Sequence, residues 1–265
     1  MRSRLARPFL ALIAFILIVG LACGTSTPEA PAAEPVTPME EAASPVPPLP
    51  DLPEPTAVPV PTEPVAQQFY TEEFDTDTGT WTYFLIDANR PAPLYVEDDF
   101  GTMFIGIEDG RLLFSLESEQ QWTYVTYDAY EYDNVRIDIV AENRGVNNNN
   151  VSLICRYTDE GWYEYNVANN GLYDLYYAFR RDDNKIVYNP MASGGSNKIK
   201  VGREINEYTM ICNERTLKLY INGNETNVYE DNQYVLRDGL VGVGVSSFFT
   251  LPVKVEIDSV TISEP

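Results

Sequence analysis

The sequence has no histidine, only three cysteines, and 18 basic residues against 40 acidic ones. Without an imidazole, Ser-His-Asp and Cys-His nucleophilic systems and His-containing zinc sites are excluded, and carboxylate chemistry is the acid–base route left open. The shortage of Lys and Arg, at a net charge near −22, argues against a nucleic-acid partner, because affinity for a phosphate backbone rests on cations that release counterions. An acidic surface of this kind is first of all a solvating one. Long apolar runs are also missing. The stretch from Phe9 to Ala22 is too short to span a bilayer comfortably. No segment repeats its apolar residues with a convincing helical period.

What is present begins at the N-terminus. Arg2, Arg4 and Arg7 precede the apolar run, which ends on the small residue Ala22 directly before Cys23, the layout of an export signal. The end of that segment, Val19-Gly20-Leu21-Ala22-Cys23-Gly24, resembles the lipobox of bacterial lipoproteins, with Gly20 where Leu is commoner. The resemblance implies cleavage before Cys23, diacylglyceryl attachment to its thiol, and an extracytoplasmic protein anchored to the bacterial cell membrane. Several acyl chains hold stably, since each buried methylene contributes about 0.8 kcal/mol. The competing reading is a retained signal anchor. Residues 24–68 hold 13 of the 19 prolines, seven acidic residues and no Lys or Arg. Such a segment has too little apolar surface to offset its ordering entropy and is expected to be an extended, disordered stalk. The expected organisation is therefore a signal peptide over 1–22, a Pro-rich acidic linker over 23–68 and one folded domain over 69–265.

From Phe69 onward the composition turns to Tyr, Val, Ile and Gly, with turn signals every eight to twelve residues. Val151 to Phe179 is a meander of three runs rich in aromatic and β-branched residues, broken by Asp-Glu-Gly161 and Asn-Asn-Gly171. If both breaks are three-residue loops in which Gly supplies a positive φ, then Cys155, Tyr165 and Leu175 lie side by side on an apolar face, joined by Tyr157, Tyr163 and Tyr177. The opposite face then aligns Arg156, Glu164 and Tyr176, sets Asn166 beside Asp174, and puts Trp162 next to Thr158. Met103 to Leu116 reads as a hairpin turning at Asp109-Gly110, with Met103, Ile105 and Ile107 opposite Leu116, Phe114 and Leu112. Further strands are expected near 122–129, 134–142, 184–188, 207–213, 216–222, 239–246 and 253–262. So many short strands argue for two packed antiparallel sheets, because a single sheet would leave an apolar face wet.

Several phrases, Cys155-Arg-Tyr157-Thr-Asp-Glu-Gly-Trp-Tyr163, Leu217-Lys-Leu-Tyr220-Ile-Asn222-Gly223, Val241-Gly-Val-Gly-Val245 and Val255-Glu-Ile-Asp-Ser-Val-Thr-Ile262, resemble concanavalin A-like jelly-roll domains. Within that group they are most similar to laminin-G-like and keto-disaccharide-hydrolase-like modules of bacterial exported proteins. The resemblance implies an all-β, two-sheet antiparallel jelly-roll sandwich, a fold that hosts lectins, glycosidases and adhesion modules alike.

In an exported chain with Cys23 lipidated, Cys155 and Cys212 are the remaining thiols, and a disulfide between them is expected, against two buried free thiols. Closing that loop constrains the unfolded chain by about 4 kcal/mol. Laminarinase-like enzymes of this fold place catalytic carboxylates on one strand as Glu-x-Asp-x-Glu or Glu-x-Asp-x-x-Glu. Glu131-Tyr-Asp133 and Glu256-Ile-Asp258 each lack the third carboxylate. Glu164 faces the polar side, but a neighbouring Arg156 favours its ionised form, the wrong direction for an acid. Arg156 and Glu164 are read as a cross-strand pair first, ligand contacts second and catalytic groups last. No cofactor is implied. Asp75-Thr-Asp77-Thr-Gly79 resembles the start of a calcium loop, yet Gly comes one place early and Ile86 stands at the closing position, so a turn is preferred. Asp258 joins a structural calcium site by fold analogy if the terminal strands pair. Gly242-Val-Gly244 reads as a close strand approach rather than a dinucleotide loop, and residues 147–150 as a loop tip. The polar meander face, with Trp162 and Tyr176 as platforms and Arg156, Glu164, Asn166 and Asp174 as hydrogen-bonding partners, is expected to bind an extracellular glycan or cell-wall polysaccharide without cleaving it. The alternatives are a glycoside hydrolase of the keto-disaccharide type and a structural or protein-adhesion module.

Overall fold

The computed structural model describes residues 66–87, 94–95, 103–146 and 149–265. The signal, lipobox and most of the stalk lie outside the described residues. In chain order the strands are β1 (Tyr70–Glu72), β2 (Trp81–Asp87), β3 (Leu94–Tyr95), β4 (Met103–Glu108), β5 (Arg111–Leu116) and β6 (Gln121–Tyr127). Then come β7 (Val135–Asn143), β8 (Asn149–Tyr157), β9 (Gly161–Ala168), β10 (Leu172–Arg180) and β11 (Ile186–Gly195). The chain closes with β12 (Ile205–Asn213), β13 (Thr216–Ile221), β14 (Asn224–Glu230), β15 (Leu240–Ser247) and β16 (Val253–Ser263).

These strands form two antiparallel sheets. The first runs β14-β13-β12-β7-β16-β5-β4, with β1 added along the far half of β16; the second runs β11-β10-β9-β8-β15-β6-β2-β3. Period-2 alternation decides which side of each strand faces inward. On β7, Val135, Ile137, Ile139 and Ala141 are buried while the residues between them are half-exposed. Inward residues of both sheets merge into one core that includes Phe114, Leu153, Tyr165, Leu175, Met210 and Val255. Cys155 of β8 and Cys212 of β12 are bonded across this core, with Cα atoms 6.7 Å apart, so the expected disulfide staples the two sheets together.

The hairpin over β4 and β5 has the expected register, Met103 opposite Leu116 and Ile107 opposite Leu112. Asp109 and Gly110 both take positive φ, as the two-residue turn requires. The meander is partly different. Between β9 and β10 the expected pairs hold, Tyr165 with Leu175, Glu164 with Tyr176 and Asn166 with Asp174. Between β8 and β9 the register is shifted by two: Cys155 pairs with Tyr163, and Ile154, not Arg156, stands opposite Glu164.

A shorter turn and a bulge produce the shift. The turn closes on two residues, with the Thr158 amide donating to the Gly161 carbonyl at 3.1 Å. Gly161 does not take the expected positive φ; a Cβ there would lie 2.6 Å from the Ala178 carbonyl oxygen of β10, so glycine serves close approach instead. The shorter turn accounts for one step of the shift, and a bulge in β8 at Arg156, whose φ is 54°, adds the second, next to the register break against β15 between Leu240 and Gly242. The bulge inverts the alternation, and Tyr157, expected on the core face, joins the outer face.

Two further expectations change. Asn149 and Asn150 belong to β8 rather than to a loop tip, and Asn149 is buried with its amide donating to Asn143 Oδ1 at 3.0 Å. The hydroxyls of Tyr130, Tyr127 and Tyr132 donate to the carbonyls of Ala66, Gln67 and Gln68 at 3.0, 2.8 and 2.5 Å, so residues 66–68 are tied to the sandwich.

Candidate functional site

The outer face of the second sheet carries its own cluster, separate from the core: Phe84 of β2, Tyr124 of β6, Ile154 and Tyr157 of β8, Trp162 of β9 and Ala178 of β10. Glu164 lies under this cluster and is fully enclosed. One carboxylate oxygen accepts from Tyr124 Oη at 2.8 Å and Trp162 Nε1 at 3.1 Å. The other accepts from Ser152 Oγ at 2.7 Å and Asn166 Nδ2 at 3.1 Å. Four donors from four strand positions thus replace the water that an ionised carboxylate would otherwise hold.

Two glycines make room for this arrangement. A Cβ at Gly244 of β15 would fall 2.6 Å from Tyr124 Cδ1, so the Tyr124 ring lies across the strand where a side chain is missing, and its hydroxyl reaches Glu164. Gly242 does the same for Ile154. This is the close approach expected of the Gly-Val-Gly repeat.

The cluster opens through Tyr188 of β11. Its hydroxyl shares a 2.9 Å hydrogen bond with Tyr124, while its ring is half-exposed and meets Trp122 at 5.9 Å, Tyr176 at 5.8 Å and Trp162 at 6.3 Å between centroids. Burial, then the neighbouring Glu164 charge, pushes the Tyr124 and Tyr188 phenols well above their usual range. Tyr176 is pushed up to about 12 by burial and by the charges of Asp174 and Glu164. Burial raises the Asp174 carboxyl, opposed by its hydrogen bond to Tyr176. All three phenols therefore remain protonated at neutral pH, Tyr124 donating to Glu164, Tyr188 to Tyr124 and Tyr176 to Asp174.

Of the residues singled out in the sequence, Glu164, Asn166, Asp174 and Tyr176 share this face, as does Trp162. Trp162 is 2% exposed, wedged among Phe84, Tyr124 and Tyr157, and forms a wall rather than the expected open platform. Asn166 is also buried, and its Oδ1 has no hydrogen-bond partner. Arg156 is not part of the site. The bulge turns its buried guanidinium to the Asp133 carbonyl, at 3.1 and 2.9 Å, and the Leu236 carbonyl, at 2.7 Å. The expected Arg156–Glu164 pair is absent because the register slipped by two.

Tyr124, Ser152, Tyr188 and Trp122 were not singled out. Their signal was the parity of the aromatic residues in the expected strands near 122–129 and 184–188, which places Trp122, Tyr124 and Tyr188 on the face opposite Val125.

The remaining candidates are occupied elsewhere. Asp77 Oδ1 accepts from the Gly79 amide at 2.9 Å, the turn preferred over a calcium loop. The terminal strands β1 and β16 do pair, but Asp258 takes the Arg111 Nε at 3.0 Å. Among the described residues no group of three acidic or sulfur ligands is placed to hold a metal.

No protein-family model matches the sequence, and no curated protein matches it. Solved structures do share the architecture. A Bacteroides ovatus mixed-linkage-glucan GH16 in complex with its G4G4G3G product superposes with a TM-score of 0.54 at 10% identity, over 73% of this chain and 99% of that one. A Bacillus licheniformis β-glucanase gives 0.53 at 12%, over 76% and 100%. The laminarinase catalytic domain of Thermotoga maritima gives 0.50 at 12%, over 75% and 98%. The domain has the concanavalin A-like jelly-roll fold.

Proposed function

We propose that this chain is an exported, lipid-anchored surface protein whose sandwich binds a polysaccharide without hydrolysing it. The observation that carries this reading is the enclosure of Glu164. A retaining glycosidase needs two carboxyl groups about 5 Å apart, one able to give up a proton and the other to attack. Here both oxygens of Glu164 are taken up by protein donors, and the next residues on the same face of β9 are Asn166 and Ala168. The strand offers one carboxylate where the laminarinase-like pattern offers three. Above it stand half-exposed rings, Tyr176, Tyr188 and Trp122, beside Asp174, the mixture of flat apolar faces and hydrogen-bonding groups that sugar rings require. The names of the similar structures, a glucan complex, a β-glucanase and a laminarinase, support a polysaccharide as the ligand. They also keep hydrolysis as the second reading.

A glycan array followed by calorimetry tests the site: binding is expected, and it is lost in Tyr176→Ala with the fold retained. Turnover of any glycoside that disappears in Glu164→Gln overturns the non-catalytic reading. For the anchor, Cys23→Ser is expected to release the protein from membranes.

A further inference from the structure

The displacement of Arg156 changes the chemistry of the proposed ligand face. In the register expected from sequence, that arginine supplies the cation beside Glu164; in the structure it is buried against the Asp133 and Leu236 carbonyls. The outward positions of β9 and β10 are then Trp162, Glu164, Asn166 and Ala168, and Asp174, Tyr176, Ala178 and Arg180. Among the described residues on the strands of this face, the one cation at such a position is Arg180. It sits at the far end of β10, its Nη2 3.8 Å from Asp159 Oδ1. Two carboxylates, Glu164 and Asp174, face the same side, and Asp174 is half-exposed beside Tyr176 and opposite Asn166.

We infer that the site takes neutral glycans and rejects anionic ones, with Asp174 as the residue that sets this selectivity; the inference rests on the polysaccharide reading above. Uronate, sulfate or phosphate groups brought to this face would meet like charge in a partly desolvated setting, with no arginine fork to receive them, on a protein whose net charge is already −22. Neutral hydroxyls suit it: Asp174 and the oxygens of the Tyr176 and Tyr188 hydroxyls accept from them, and the aromatic rings cover sugar faces.

The test uses the full chain and one soluble β-glucan before and after carboxymethylation, so that charge alone is added to the same backbone, with polygalacturonate as a second anionic probe. The neutral glucan is expected to bind at least about tenfold more tightly than its carboxymethylated form, and the gap to shrink as salt rises and in Asp174→Asn. Equal or tighter binding of the carboxymethylated glucan that is lost in Tyr176→Ala leaves the site in place and overturns the selectivity. A gap unmoved by both salt and Asp174→Asn overturns Asp174's role. If neither the neutral nor the anionic probes bind, the polysaccharide reading fails, and the inference with it.

Discussion

On the outer face of the first sheet, Arg111 reaches Glu142, Glu256 and Asp258 at 3.4, 3.0 and 3.0 Å, and Arg144 reaches Glu142 and Glu256 at 3.4 and 3.2 Å. On the outer face of the second sheet a single carboxylate, Glu164, is closed in by Tyr124, Trp162, Ser152 and Asn166. Both faces alternate with the same period and both place acids between strands. The first spends its charges in water, where each pair is worth little and its partners substitute for one another. The second removes its charge from water, so that every donor around it becomes necessary. A face built in the second way organises rigid aromatic walls, and this is why the ligand site is proposed there.

The sharpest way to break this contrast is Glu164→Gln. One oxygen becomes an NH2 group facing two donors; a hydroxyl can rotate to accept from it, Asn166 accepts only by turning its partnerless Oδ1 inward and giving up its present bonds, and Trp162 Nε1 cannot accept at all. A loss of about 3 kcal/mol is expected in urea denaturation. A loss below about 1 kcal/mol would mean that the enclosure is not what holds the face together.

Next in size is Gly244→Ala. The new methyl would lie 2.6 Å from Tyr124 Cδ1 and 2.7 Å from the Thr123 carbonyl, with backbone on one side and an anchored ring on the other. A destabilisation of about 2 kcal/mol follows from overpacking. The Tyr124–Glu164 hydrogen bond should be displaced with it, weakening the proposed glycan binding.

Alkaline titration followed by tyrosine absorbance separates the faces by a third route. Phenols of the unfolded chain ionise near pH 10, whereas Tyr176 is pushed up to about 12 and burial holds Tyr124 and Tyr188 well above their usual range. A raised folded value means stability that is complete below about pH 10 and lost as pH climbs toward the folded values. These phenols are expected to ionise only as the domain unfolds, giving a cooperative step rather than a gradual one.

The smallest effect belongs to the first sheet. Glu256→Gln leaves Arg111 with Glu142 and Asp258 and Arg144 with Glu142, so its cost in urea denaturation is expected to stay below about 1 kcal/mol and to shrink further in salt. A larger cost would erase the distinction between the faces.

Much of this architecture was legible in the chain. Alternation along the meander placed Tyr163, Tyr165 and Leu175 inward and Glu164, Asn166 and Tyr176 outward, and these assignments survive even the two-residue register shift, because a shift by two preserves parity. Asp109-Gly110 specified its hairpin, and the disulfide expected between the two thiols remaining in an exported chain is present across the sheets. Strands with weaker signals were missed: the short β1 and β3, β2, and β14, whose Asn-Glu-Thr-Asn start looks like a loop but pairs as a sheet edge beyond the Asn222-Gly223 turn.

The sequence by itself determined which residues share a face, because that depends on a local two-residue period and on turn residues with fixed backbone needs. Tertiary structure decided what surrounds them. The bulge that carries Arg156 off the site depends on how β15 packs beside β8, and the shell around Glu164 comes from Tyr124, 40 residues away, Ser152, 12 away, and Tyr188 behind Tyr124. Periodicity carries no information about which distant strand lies alongside, so the enclosed, cation-poor aromatic character of this face arises only when the second sheet assembles.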